Sequence, residues 1–176
     1  LYNPVAGTGQ ITDQWIADRT AMLAHVMYAN AQDVAIPSNI SSATGMHYED
    51  AASGKKIDIG LPDNVVEKRQ TIFGDDKSNV LTGKKLQDHL YGGSGADTLE
   101  GKDGADYLEG GADADTYVLQ TGLTGIDTLV DSGANTLKID GKTVSGAFSR
   151  VADMGGDIYY SADKTYQLRK AEEGTW

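Results

Sequence analysis

Glycine and aspartate return at fixed intervals through the middle of this chain. From Gly74 to Val118 five nine-residue units follow one another without a gap: GDDKSNVLT, GKKLQDHLY, GGSGADTLE, GKDGADYLE and GGADADTYV. Every unit opens on glycine, and its sixth place holds Asn79, Asp88, Asp97, Asp106 or Asp115. Carboxylates at one repeated place, behind glycines whose backbone turns carbonyls inward at positive φ, form the donor set of a hard cation. Ca²⁺ takes about 6–8 oxygens in flexible geometry and accepts carbonyls as readily as carboxylates. In the third unit Gly92, Gly93 and Gly95 supply the turn and Asp97 the carboxylate. Ten acids oppose four bases between residues 74 and 118, a net charge of −6 that about three divalent ions would cancel.

These donors need a scaffold, and the same period supplies it. A fixed nine-residue repeat implies one small unit stacked on copies of itself. The eighth place holds Leu81, Leu90, Leu99, Leu108 or Tyr117, a side chain turned into a core from a short strand. Two units per coil put units one, three and five on one side and units two and four on the other. The strict sixth and eighth places argue against a flexible glycine-rich linker. Without a cation the packed carboxylates repel, and such short strands bury too little apolar surface to hold the coil.

Residues 10–32 carry a helical pattern, with Thr12 as N-cap and Ile11, Trp15, Ile16, Met22, Leu23 and Val26 on one face. Asp13, Asp18 and Asn30 face away, while Trp15, Met22 and Met27 are expected in a core rather than against lipid. Residues 33–47 read as a loop. Strand candidates are Lys56–Leu61 and Val65–Phe73 before the repeat, and Asp127–Val130, Thr136–Ile139 and Thr143–Val144 after it, with Asp140-Gly141 as a hairpin turn. A further hairpin pairs Asp157–Tyr160 with Thr165–Leu168. The organisation expected is an N-terminal flank with an amphipathic helix (1–68), a repeat roll (69–119) and a β-rich C-terminal cap (120–176).

At 176 residues and 39% hydrophobic, the chain can bury one or two modest cores. A net charge of −11 argues against nucleic acid and anionic membrane surfaces as partners. No cysteine is present, so rigidity outside a cell must come from elsewhere, such as bound metal. No apolar run approaches the roughly 18 residues of a membrane span. The chain opens at Leu1 without a leader and reads as a piece of a longer protein.

The pattern G-G-x-G-x-D-x-U-x, with U a large apolar residue, resembles the repeats-in-toxin (RTX) family, the calcium-binding parallel β-roll of bacterial type I secreted proteins. Gly125–Gly141 resembles the β-rich cap that follows such rolls, and the helix segment resembles flanks of lipase-like and toxin-like members. The resemblance implies ions held between stacked turns on one side. A first site would use Asp75, Lys77 and Asn79 with Gly92, Ser94 and Asp97. A second would use Lys84, Leu86 and Asp88 with Gly101, Asp103 and Asp106. A third would use Gly93, Gly95 and Asp97 with Gly110, Ala112 and Asp115. Half-sites remain on the turns carrying Lys102, Gly104 and Asp106 and carrying Gly111, Asp113 and Asp115, for which Asp127 and Asp131 are candidate tail partners. That gives about three ions, with room for one or two more at the C-terminal end.

Unit two has Lys84, Lys85 and Leu86 where glycines are usual, which weakens the second site. Asn79 lacks charge, which weakens the first. Asp113 replaces a glycine, either to strengthen an end site or to tolerate a left-handed turn. His25, His47 and His89 lack ligand spacing, and His89 at a seventh place points outward. Asp75-Asp76 and Glu172-Glu173 read as solvated pairs, and Trp176 as packing or a cut end.

Ser94 in GGSGA fails the nucleophile-elbow pattern at Ala96, and Gly141-Lys142-Thr143 fails the phosphate-loop pattern at Thr136. No H-E-x-x-H motif and no Asp-Pro bond occur. The expectation is a non-enzymatic, extracellular, calcium-folded module served by type I secretion machinery. Alternatives are the tail of a lipase- or phospholipase-like hydrolase or cytotoxin with upstream catalytic residues, or an adhesin gripping a host or surface ligand.

Overall fold

Each nine-residue unit turns the chain through half a coil, so that strands 18 residues apart lie side by side. The computed structural model describes residues 11–31, 45–60, 67–131, 133–144, 149–150, 158–160 and 167–169. In chain order the elements are α1 (Asp13–Ala31), β1 (Gly45–Asp50), β2 (Lys55–Ile59), β3 (Lys68–Phe73), β4 (Val80–Thr82), β5 (His89–Ser94), β6 (Thr98–Glu100) and β7 (Tyr107–Ala112). They continue with β8 (Thr116–Leu119), β9 (Thr128–Val130), β10 (Thr136–Ile139), β11 (Lys142–Thr143), β12 (Ser149–Arg150), β13 (Ile158–Tyr160) and β14 (Gln167–Arg169). One sheet runs β2-β1-β3-β5-β7-β9, the other β11-β10-β8-β6-β4. Among the described residues the fold is mainly β, a parallel roll with one helix, as the repeat implied.

Register follows the period. Leu90 pairs Leu108 across β5 and β7, Leu81 pairs Leu99 across β4 and β6, and Leu99 pairs Tyr117 across β6 and β8. These eighth-place side chains and Ile72 form one buried core between the two sheets. Leu90, Leu99 and Leu108 are fully buried, each contributing about 1.5–3 kcal/mol.

The roll extends past the five regular units at both ends. Ile72 pairs Leu90, so β3 already lies one coil before unit two. After unit five, the three residues Leu119–Thr121 interrupt the period, and Gly122–Val130 then reads GLTGIDTLV, a sixth unit. Its Leu129 pairs Leu108, and Leu137 in the following stretch pairs Tyr117, both parallel. Strands β9 and β10, expected in the cap, are therefore roll strands. Asp140 and Gly141, at φ of 50° and 74°, make the expected hairpin turn into β11. Beyond it, β12, β13 and β14 form a separate antiparallel sheet in which Tyr159 pairs Leu168.

The N-terminal flank departs further from expectation. Gly45–Asp50, within and beyond the expected loop, is strand β1, paired antiparallel with β2 and parallel with β3. Thr12 caps the helix as expected: the Trp15 N–H donates to its Oγ1 at 3.1 Å. The buried helix face is not the expected one, since Ile11, Ile16, Leu23 and Met27 are exposed. Met22 is buried with Tyr48, Ile59, Phe73 and Tyr91 in a second core on the outer side of the first sheet, with Trp15 packed against it. Phe73 stacks on Tyr91 with ring centroids 5.0 Å apart, and Trp15 meets Phe73 edge-on. Asp18 faces inward, not away, and accepts hydrogen bonds from the Tyr91 hydroxyl (2.5 Å) and His89 Nδ1 (2.6 Å). His89 thus leaves the roll's interior as expected but ends against the helix. Burial pushes the Asp18 carboxyl up, and those two bonds outweigh it and leave it lowered. Glu172, Glu173 and Trp176 lie outside the described residues.

Candidate metal centre

The sixth-place side chains point into the roll beneath each turn, where they bind the neighbouring coil. On one side the N–H of Asn79 donates to Asp97 Oδ1 (2.7 Å), that of Asp97 to Asp115 Oδ1 (2.8 Å), and that of Asp115 to Asn135 Oδ1 (2.8 Å). On the other side the N–H of Gln70 donates to Asp88 Oδ1 (2.6 Å), that of Asp88 to Asp106 Oδ1 (2.7 Å), and that of Asp106 to Asp127 Oδ1 (3.1 Å). One oxygen of each carboxylate is thereby committed to the stack.

The other oxygen divides the units into two kinds. In units three, four and five the Oδ2 atoms of Asp97, Asp106 and Asp115 are buried with no hydrogen-bond partner. Each residue is 1% exposed. A buried charge without a partner costs several kcal/mol, and a cation beside these three oxygens would offset that cost; Asp50 Oδ1, also buried without a hydrogen bond, belongs instead to the carboxylate paired with Arg19. The first two units differ. Asn79 Oδ1 accepts the Asp75 N–H (2.8 Å) and Asp88 Oδ2 accepts the Lys84 N–H (2.5 Å).

Backbone conformation divides the units the same way. At places two and four, units three to five are left-handed: Gly93 (111°) and Gly95 (101°), Lys102 (75°) and Gly104 (131°), Gly111 (105°) and Asp113 (77°). Lys102 and Asp113 hold this conformation at a cost glycine avoids. The turn through Asp75 and Lys77 and that through Lys84 and Leu86 have no positive φ at these places.

Glycine at the first place is required by space instead. A Cβ on Gly92 would fall 2.4 Å from Asp97 Oδ2 and 2.5 Å from the Gly110 carbonyl oxygen. A sixth-place oxygen and the carbonyl of the next coil converge on one point there, as they also do at Gly74 and Gly83, so this crowding is common to both kinds of turn. At Gly110 the same construction meets Asp115 Oδ2 (2.3 Å), Asp131 Oδ2 (2.4 Å) and the Tyr117 hydroxyl (2.6 Å). That hydroxyl donates to Asp131 (2.7 Å) and accepts from the Gly110 N–H (2.8 Å).

Burial pushes the Asp97 carboxyl up to about 6 and that of Asp106 to about 7, and the nearby acids Asp113 and Asp127 add to it. Asp115 is raised by burial and by the facing Asp131, and Asp88 and Asp127 by burial. Among the described residues no three acid, His or Cys side chains gather as a metal cluster. A site here needs backbone carbonyls, which suits an oxygen-seeking cation such as Ca²⁺ and not a thiolate- or imidazole-bound metal.

Residues 87–118 match the RTX calcium-binding nonapeptide repeat, in four copies. These repeats form an RTX calcium-binding β-roll. No curated protein and no solved structure matches the chain.

Of the residues expected at the sites, the RTX roll brings the first-place glycines Gly92, Gly101 and Gly110 beneath Asp97, Asp106 and Asp115. Asp127 accepts the Asp106 N–H at 3.1 Å, and Asp131 Oδ2 lies beside Asp115 Oδ2 at the Gly110 turn. Other acids fasten neighbouring turns: Asp103 Oδ1 accepts from the Thr124 N–H (3.0 Å) and hydroxyl, and Asp113 Oδ2 from the Gly95 N–H (3.0 Å). Asp75 is not simply solvated, because it accepts from the Lys77 N–H and from Asn79 Nδ2. Ser94 and Ala112 pair across β5 and β7. Sequence reasoning missed Gly122–Asp127 as a sixth turn, Asn135 as a further sixth-place residue, and the Tyr117 hydroxyl. A nonapeptide frame restarted at Gly122 would have found the first.

Proposed function

We propose that this chain is a calcium-operated folding module of a bacterial protein exported by type I secretion, unrolled where calcium is scarce and rolled outside the cell. The observation carrying this reading is the trio of buried, partnerless carboxylate oxygens on Asp97, Asp106 and Asp115. Bound calcium would supply positive charge to those oxygens and draw carbonyls of adjacent turns around it. The residues that would hold it are the carbonyls at places one to four of stacked turns and the sixth-place side chains. The general association of RTX repeats with exported bacterial proteins supports the secretion part of this reading. Among the described residues no helix is long and apolar enough to cross a membrane. Any hydrolase, toxin or adhesin activity of a longer parent would lie on residues outside these repeats.

Sites that fold a module only outside a cell must be weak, with dissociation constants of about 10⁻⁴–10⁻³ M, as extracellular calcium modules have. A calcium titration followed by circular dichroism should therefore show a cooperative rise in β signal with its midpoint in that range. A midpoint below a micromolar would mean the chain rolls up before export, and the proposal would be wrong.

A further inference from the structure

We infer that the roll is partitioned: its first two units hold no ion, three ions lie between units three and five, four and six, and five and seven, and the N-terminal base stands without calcium. Units six and seven are Gly122–Val130 and the shortened stretch to Lys138. This inference rests on the calcium-dependent reading above and narrows it.

Three observations carry it. The first is where the N–H groups point. In units one and two the N–H of Asp75 or Lys84 already occupies the sixth-place oxygen of its own turn. An N–H dipole aimed at that oxygen presents positive charge where a cation would have to sit. In units three to five the second-place residue is left-handed, and the same oxygen has no partner. Thus the unit-two departures Lys84 and Leu86 are parts of a different, self-satisfied turn.

The second is direction. Asp97 gives Oδ1 to the Asn79 N–H of the preceding coil, while its Oδ2 converges with the Gly110 carbonyl of the following one. The partnerless oxygen of Asp97 therefore faces the following coil, not the preceding one. Asp97 belongs to one ion, not two, and the sites suggested on Asp75, Lys77 and Asn79 and on Lys84, Leu86 and Asp88 are not formed. The C-terminal site has an added acid, since Asp131 Oδ2 reaches the same point as Asp115 Oδ2.

The third is that the base has a core of its own. Met22, Tyr48, Ile59, Phe73 and Tyr91 pack together outside the leucine ladder. Around them Arg19 pairs with Asp50 at 3.1 Å. None of these contacts uses a carboxylate of the calcium turns.

Hydrogen exchange on the whole chain, in EDTA and in millimolar calcium at neutral pH, tests the partition. In EDTA the amides of α1, β1, β2 and β3 should exchange roughly 100-fold more slowly than those of β6, β8 and β10, and calcium should protect both groups. Uniform exchange in EDTA overturns the partition but leaves calcium-dependent folding standing. Uniform protection in EDTA overturns both. Native mass spectrometry provides the independent count: three ions in the parent chain, three in Asp88→Asn, two in Asp106→Asn. Converting unit one with Asp75→Gly, Lys77→Gly and Asn79→Asp together should add a fourth. Five ions in the parent chain, or loss of one on Asp88→Asn, refutes the assignment.

Discussion

Replacing Asp97 with asparagine should strengthen the roll in EDTA and weaken its response to calcium. The side chain keeps its shape and its Oδ1, which accepts the Asn79 N–H at 2.7 Å. The change falls on the buried Oδ2, which becomes an NH₂ group beside the Gly110 carbonyl, since both lie within 2.5 Å of one point. That amide can donate where the carboxylate has no partner. Burial raises the Asp97 carboxyl from 3.8 to about 6, so its charged form costs the metal-free roll about 3 kcal/mol at pH 7. Asp97→Asn removes that cost. With calcium present it removes a charged ligand, and a lost site forfeits about 2.7 kcal/mol when calcium is 100 times its dissociation constant. In EDTA, circular dichroism should show more β signal for Asp97→Asn than for the parent chain, and urea unfolding in calcium should show a calcium increment smaller by about 3 kcal/mol. Asn79→Ala is the control: it loses two hydrogen bonds with Asp75, about 2 kcal/mol, and keeps the calcium increment. If Asp97→Asn lowers the β signal in EDTA, or leaves the calcium increment intact, the reasoning from the partnerless oxygen is wrong.

Acid should replace calcium in part. The carboxyls of Asp97 and Asp106 are raised in the roll, so their protonated stability is complete below about pH 4 and is lost as pH climbs through 6 to 7. β signal in EDTA should thus grow between pH 7 and 4.5, and a flat or falling profile contradicts it. Lys102→Gly relieves a left-handed lysine at φ 75° and should raise thermal stability in calcium by about 1 kcal/mol; a lower melting temperature would show the lysine to be needed there. Leu99→Ala opens a cavity under a fully buried side chain and should cost about 2–5 kcal/mol in chemical denaturation, whereas Val80→Ala, 79% exposed, should stay within about 0.5.

The centre of this fold was legible because its signal is local and repeated. The sixth and eighth places set which side chains enter the roll, and strands 18 residues apart paired in the register those places required. Reading stopped where the period did. Leu119–Thr121 shift the frame by three residues, which hid the sixth unit and placed β9 and β10 in a cap. Strand β1 was missed because GMHYED has no apolar alternation; its burial comes from neighbours distant in sequence, with Tyr48 in the outer core and Asp50 held by Arg19. The helix face was misjudged because the surface beneath it is mixed. Aromatic rings at Phe73 and Tyr91 take Trp15 and Met22, while His89 and the Tyr91 hydroxyl draw in Asp18 at the expense of Ile16 and Leu23. The division between turn types was least visible. It depends on φ at Lys102 and Asp113, which composition does not reveal, and on which N–H reaches Asn79 and Asp88.

Far-UV circular dichroism at neutral pH, on one sample moved from EDTA to millimolar calcium and back, tests the central claim most directly. Calcium-dependent rolling predicts a reversible gain of β signal on adding calcium and its loss on chelation. The same β content in EDTA as in calcium would contradict it.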